Sequence, residues 1–267
     1  VYKDPRVELR YNSQVLRLRL ENDVAKAVQV KSEGKTYEVE GELIGLGANT
    51  IFNAHILLNS GDKSELLGRG LTEQVGVFAH VFLDGMMNVG ASSSLSANGY
   101  MLYEGAFRKD YGSCLIEHHN LPLVRNERGK WRNIARLKFV FEDLPDQENR
   151  IKLSENEEKP VVDYKGHTPY ADRAFENIKK EVNKLLSCLP VEKIVMDDYY
   201  QDTEFHSLSS VRMSKDPKDG VVDDKMVHHK YRNLLVLGGS AFTTASAANP
   251  SLTISALSLR SADKLFS

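Results

Sequence analysis

The chain has 267 residues, enough for one large domain or two modest ones, and 41% of them are hydrophobic, which suffices for a real core. A formal net charge of −2 with 27% charged residues describes an ordinary aqueous surface and argues against the basic stripe that nucleic-acid recognition needs. No apolar run approaches the roughly 20 residues of a membrane-spanning helix, and the two cysteines, Cys114 and Cys188, lie far apart without CxxC spacing, so they read as structural thiols and leave the compartment open.

No targeting signal is readable at Val1, which opens without a methionine, a charged n-region or an apolar h-region. Strand-like alternation is already under way in VELRYNSQVLRLRLEND (7–23), as in a chain that starts mid-protein. Residues 7–45 read as a β-meander: VLRLRL (15–20) alternates at period two, and further short strands flank a turn at Gly34. ELIGLG (42–47) is an apolar strand ending in glycine, and TIFNAHILLNSG (50–61) reads as a helix stopped by Gly61. GLGANT (45–50) is not a dinucleotide fingerprint, because the third glycine is absent and no acidic residue follows a second strand at the required distance. A strand-to-helix turn with Gly47 passing close to a cofactor fits it better.

From 75 to 142 the pattern is mainly strand. GYMLYEGAF (99–107), SCLIEHH (113–119) and ARLKFVFEDL (135–144) alternate apolar with polar residues, as a sheet with one wet face should, and glycines at 85, 90, 99, 105 and 112 break them. His118 and His119 beside Glu117 invite a metal reading. Adjacent strand residues point to opposite faces, however, so surface histidines and no metal site are expected. DLPDQENRIKLSENEEKP (143–160) reads as a solvated loop with an acidic run. TPYADRAFENIKKEVNKLLSCL (168–189) is an amphipathic helix, with Ala171, Ala174, Phe175, Ile178, Val182, Leu185 and Leu186 on one face.

The C-terminal quarter carries the chemistry. HSLSSVRM (206–213), GVVDD (220–224), NLLVLGGSAF (233–242) and ANPSLTISALSLRSADKLF (248–266) set the order histidine, strand, glycine turn, Asn-Pro, helix. Pro250 suits a first helical position with Asn249 as a cap-like residue before it. Leu252, Ile254, Leu257, Leu259 and Leu265 then make a largely apolar helix that is expected inside the protein. Its unpaired N–H groups and positive dipole end would face a group that becomes negative. His206, with an ordinary pKa of about 6.5, is a candidate proton acceptor, and Asn249 a candidate amide donor to the same substrate oxygen.

These blocks resemble the glucose–methanol–choline (GMC) oxidoreductases, flavoproteins that oxidise alcohols and sugars. Their C-terminal pattern is H-x-x-G-T-x-R-M, then V-V-D, then N-L-x-V-x-D-G-S, then N-P-x-x-T-I with an apolar helix. GLGANTIFNAHILLNSG (45–61) looks like the family's A-G-A-x-x-x-P-x-L-L-L-x-S-G stretch, and EDLPDQENRIKL (142–153) like its E-x-x-P-x-x-x-N-R-V-x-L segment. The resemblance implies an α+β and α/β architecture: part of a GMC-type FAD-binding domain over 1–74, an antiparallel-sheet substrate domain backed by helices over 75–190, and a catalytic segment over 191–267 returning to the FAD domain. It implies His206 as the active-site base and Asn249 as the second polar group, with hydride leaving to flavin N5. Gly239 and Ser240 would lie along the FAD phosphate or ribitol, and Pro250, Ser251 and Leu252 would present backbone to the flavin's N1/C2 edge. Gly47 and Ala48 would also border FAD, and the backbone of Val15 would touch adenine.

Four positions depart from the family pattern. Ser209 and Ser210 replace Gly and Thr, which is expected to narrow the loop near the flavin; Gly238 stands where an acidic residue often precedes Gly-Ser; Ser214 replaces a glycine. The family's N-terminal βαβ unit with G-x-G-x-x-G has no counterpart here. The expected partners are therefore a small alcohol or sugar and an N-terminal FAD-binding half, on a separate chain or in a missing segment. The alternatives are a non-catalytic scaffold or interaction subunit of the same fold, or a lyase using the same pocket.

Overall fold

The computed structural model describes residues 3–88, 95–201 and 203–267; Val1 and Gly90 lie outside them. The meander is a three-stranded antiparallel sheet of β1 (Ser13–Glu21), β2 (Val24–Ser32) and β3 (Lys35–Glu40). Both hairpins turn on two residues with positive φ, Asn22 (49°) and Asp23 (61°) in the first, Glu33 (49°) and Gly34 (76°) in the second. That is the geometry whose twist matches the flanking strands.

β4 (Ile44–Leu46) then feeds α1 (Thr50–Asn59). The Asn49 carboxamide caps the helix by accepting the Phe52 N–H at 2.8 Å, and the chain leaves it through Ser60 and a left-handed Gly61 (φ 78°). β4 pairs in parallel with β12 (Leu234–Val236), so the two ends of the chain share one core. Leu18, Ala25, Ile44, Leu46, Leu57, Val211, Val222, Met226, Leu234 and Val236 fill it.

The second layer is a five-stranded antiparallel sheet in the order β11 (Val191–Met196), β5 (Val75–Leu83), β8 (Ile134–Phe141), β7 (Cys114–His119), β6 (Leu95–Leu102). Its apolar face packs on α2 (Pro169–Leu185), where Ala171, Ala174, Phe175, Ile178 and Val182 are buried, as the periodicity predicts. Each large side chain there contributes about 1.5–3 kcal/mol of burial. Because β11 belongs to this sheet, the layer runs past the boundary expected at 190. The expected loop 143–160 contains β9 (Arg150–Lys152), which pairs with β10 (Val161–Asp163) and sends Ile151 into the first core. Gly99 is a residue of β6 and not a breaker of it.

Two further expectations are overturned. His118 and His119 are half-buried, not surface residues: His119 sits edge-on to Phe78 with ring centroids 5.2 Å apart, and its Nε2 lies 3.5 Å from the Glu117 carboxylate. The last helix, α3 (Ser251–Phe266), is not interior. Leu252, Leu259 and Phe266 are 81%, 72% and 68% exposed, and Ser261 is its one buried residue. Ile254, Leu257 and Leu265 are half-buried, Leu257 against the first core, whereas nothing in the described chain covers the stripe of Leu252, Leu259 and Phe266.

Candidate active site

The chemistry-bearing residues meet at a cleft of about 480 Å³ whose lining includes Gly47, Thr50, Thr203, His206, Gly239, Pro250 and Ser251. Four pieces of chain build it. The β4–α1 turn supplies Gly47 and the start of α1; the turn after β12 supplies Gly238 and Gly239; the 203–207 loop supplies His206; the start of α3 supplies Pro250 and Ser251.

The glycines make the space. A Cβ on Gly239 would stand 2.9 Å from Leu208 Cδ2 and 3.0 Å from Thr50 Oγ1, so only a bare backbone passes there. Gly47 and Gly238 would aim a Cβ into open space, and Gly238 has φ 95°. α3 begins after Pro250, which occupies the cap position without a side-chain cap, so Asn249 lies outside the helix rather than capping it. The first N–H groups of α3 therefore remain unsatisfied at the cleft wall. α1 begins at the same cleft, where Thr50 Oγ1 donates to the Ser207 carbonyl at 2.6 Å and the Ser210 hydroxyl donates to the Thr50 carbonyl at 2.7 Å.

His206 is held by two consecutive residues just before β5. Its backbone N–H donates to Glu73 Oε1 at 2.8 Å, and its Nδ1 lies 2.8 Å from Gln74 Oε1. Glu73 also accepts from the Thr203 hydroxyl at 3.0 Å and the Ser207 hydroxyl at 3.1 Å. One carboxylate thus fastens the whole histidine loop. Burial pulls His206 below the ordinary histidine value; Glu73 and Glu117 push the other way, and Lys138 adds to the lowering. Lys138 is paired with Glu204, whose carboxyl is raised by burial and lies over Gly76, where any Cβ would collide with it. The sheet face behind the histidine is therefore charged and hydrogen-bonding.

Of the expected cofactor residues, the cleft gathers Gly47, Gly239, Pro250 and Ser251 with His206. It does not gather the others. Val15 is half-buried in β1 and packs on the first core. The Ala48 N–H is taken by Asn53 Oδ1 at 2.9 Å. Ser240 is fully buried, its hydroxyl accepting from Asn53 Nδ2 at 2.9 Å. Leu252 points to solvent, and Asn249 is exposed one residue before the lining pair. Ser209 and Ser210 do not narrow the cleft either: both are fully buried beneath it, with φ 71° and 78°. Glu73 and Gln74 carry no motif; they became visible only when the fold brought them to the histidine.

The GMC oxidoreductase family model, in its C-terminal form, matches residues 145–258. The chain is 24% identical over 250 residues to the fructose dehydrogenase large subunit of Gluconobacter japonicus, covering 84% of this chain and 44% of that protein. It is 25% identical over 292 residues to paromamine 6'-oxidase of Streptomyces fradiae, covering 97% of this chain and 52% of the other. Among solved structures, an FAD-dependent oxidoreductase from Chaetomium thermophilum superposes with a TM-score of 0.75 at 14% identity, over 98% of this chain and 62% of that one. The chain thus spans about half the length of the relatives it matches.

Proposed function

We propose that this chain, whose residues 145–258 match the C-terminal GMC oxidoreductase family model, is the substrate-binding and catalytic part of an FAD-dependent enzyme that oxidises an alcohol, a sugar hydroxyl in preference. One observation carries the reading: His206 opens onto the same cleft as two glycine turns and the uncapped start of a helix. That lining fits FAD. The bare backbone at Gly47 and Gly238, where a Cβ would enter open space, admits a flat or phosphorylated group, and the free N–H groups at Ser251 suit one that gains negative charge. Gly47, Gly239, Pro250 and Ser251 are the residues assigned to hold it. When bound, FAD supplies the hydride acceptor.

The chain's own part is proton handling and orientation. An alcohol releases hydride readily only as its O–H proton is withdrawn, and a histidine kept unprotonated by burial is ready to take that proton at neutral pH. Asn249, just ahead of the lining pair, is assigned to hold the substrate oxygen. A sugar is favoured by the charged sheet face, where Glu117 and Lys138 lie close enough to both His206 and Glu204 to interact electrostatically. The named activities of the fructose and paromamine relatives support the same class. The exposed stripe of α3 supports a requirement for the rest of the family fold, upstream or on another chain, to cover it.

The test is flavin reduction by sugar under anaerobic conditions in the assembled protein, with His206→Ala beside the parent. The expected loss is about 10²–10⁴-fold, the range for a removed acid–base group. An unchanged reduction rate overturns the assignment, and a protein that never bleaches with any alcohol leaves the scaffold reading standing in its place.

A further inference from the structure

Gln74 is 1% exposed and sits at a junction of three bonds. Its Nε2 donates to the Ser246 carbonyl at 2.6 Å and to the Ala248 carbonyl at 2.8 Å. Its Oε1 lies 2.8 Å from His206 Nδ1. Carbonyl oxygens only accept, so the amide end facing Ser246 and Ala248 is the NH₂, and the orientation of the carboxamide follows from chemistry alone. The end facing His206 is then the oxygen, which also only accepts. Nδ1 must therefore carry the hydrogen, and the lone pair of the neutral ring is left on Nε2.

We propose that Gln74 is the positioning residue of the reaction: it locks His206 in the Nδ1–H tautomer, aims Nε2 as the proton acceptor, and fixes the distance between the histidine loop and the Asn249–Pro250 turn. The inference rests on the alcohol-oxidation reading for its catalytic meaning, and on geometry for the tautomer. Both ends of the strut are themselves secured. The histidine loop is fastened by Glu73 and by the Thr72–Leu208 backbone pair at 3.1 and 2.8 Å. The far loop is held by the Tyr103–Ser246 hydroxyl contact at 2.9 Å and by the Ala248 N–H donating to Ser246 Oγ at 3.1 Å. Ala247 is buried between them, against Leu115 and Val140 of the sheet. A rigid link between two rigid loops transmits their spacing, and an Å of error in such spacing costs up to about 10² in rate. No glutamate can replace Gln74 without loss, because a carboxylate would set an oxygen against two carbonyl oxygens.

The test uses the whole protein labelled with 15N-histidine. His206→Gln identifies the His206 pair among the eight histidines. The expected spectrum at neutral pH shows Nδ1 protonated and Nε2 bare, and Gln74→Leu abolishes that pattern. A bare Nδ1 in the parent, or an unchanged pattern in Gln74→Leu, overturns the proposal; neither outcome depends on turnover, so it is separate from the His206→Ala result. Flavin reduction then divides tautomer control from simple support. Gln74→Leu is expected to lose 10²–10⁴-fold at every pH, in the range of a histidine held in the wrong tautomer. Gln74→Glu keeps an acceptor for Nδ1–H and so retains the 15N pattern at high pH, where the ring is neutral. It joins Glu73 and Glu117, against Lys138, among the charges facing the ring. It therefore favours the imidazolium, moves the acidic limb of the rate profile to higher pH, and keeps a faster limiting rate at high pH than Gln74→Leu. Equal losses in the two variants at all pH values would make Gln74 a strut and nothing more, and would also overturn the proposal.

Discussion

Replacing Ser209 by glycine should stabilise the protein. The residue is fully buried with φ 71°, a conformation that costs a residue bearing a Cβ about 1–2 kcal/mol. Its hydroxyl is buried without a hydrogen-bond partner, a further penalty of about 1–3 kcal/mol. Against these stand the extra chain entropy of glycine, about 0.5–1 kcal/mol, and the small void left by two atoms. The balance is a gain of about 1–2 kcal/mol, or about 2–8 °C in Tm for a domain of this size. Ser210 is the internal control. It has the same left-handed backbone, φ 78°, but its hydroxyl donates to the Thr50 carbonyl at 2.7 Å and ties the histidine loop to α1. Ser210→Gly relieves strain and loses that bond, so its net change should be near zero. Scanning calorimetry or urea titration of both variants decides the matter. A lower Tm for Ser209→Gly, or an equal gain in both, would refute the argument. The same geometry explains the resemblance pattern at these two places, where a glycine is followed by a hydroxyl residue.

Asp62→Ala should cost about 3 kcal/mol in urea unfolding. His228 Nδ1 accepts two backbone N–H groups, from Lys230 and Tyr231, so its Nε2–H must donate to Asp62 Oδ2 at 2.7 Å and would be orphaned in a site that is 0% exposed. Burial alone would raise Asp62, but the hydrogen bonds it accepts from His228 and Ser64 hold it below its ordinary value. Its contribution is therefore intact above the unfolded carboxylate pKa of about 3.9 and lost as pH falls through the lower folded value, so the penalty of the variant should shrink in acid; a constant penalty would contradict this. The triple change Leu252→Gln, Leu259→Gln, Phe266→Gln should leave the unfolding free energy in urea within about 0.5 kcal/mol of the parent, since these side chains are already exposed. It should reduce binding of an apolar fluorescent dye and weaken association with an N-terminal half; marked destabilisation would mean the stripe is covered within the chain itself.

Periodicity and turn chemistry exposed the parts of the fold whose reasons are local. Gly34 marks the tight hairpin between β2 and β3, and the apolar face of α2 predicts its own burial. β11 pairs with β5, more than a hundred residues earlier, so no local pattern ties 191–196 to the sheet that lies before the boundary expected at 190. β9 and β10 are three residues each, too short for a period. The pattern of α3 was correctly apolar, but a pattern says which face needs covering and not what covers it. Ser209 and Ser210 looked like crowding at the cleft because a motif records identity without direction; their backbone turns both side chains beneath it. Gln74 was invisible for a different reason. It stands 132 residues from His206, and a lone glutamine before a strand has no spacing that betrays its partner.

The two halves of the site's work are unequally represented in this chain. Behind His206 the groups that hold the ring and its loop are paired: Glu73 takes the loop's N–H and two hydroxyls, Gln74 makes three side-chain hydrogen bonds, and Lys138 meets one oxygen of Glu204. In front, the described residues form one wall of the cleft from glycine turns, the two helix starts and the histidine loop, beside an apolar helix stripe open to water. Buried polar networks set a side chain's tautomer and orientation without help from a ligand, whereas a cofactor is held by surfaces that surround it. The proton-accepting geometry should therefore already exist in this chain, while tight flavin binding should not. The 15N pattern of His206 should be the same with and without an N-terminal half, and flavin affinity should depend on that half strongly. Tight flavin binding by this chain alone would mean that the one wall suffices, and would remove the reason for assigning α3 an outside partner.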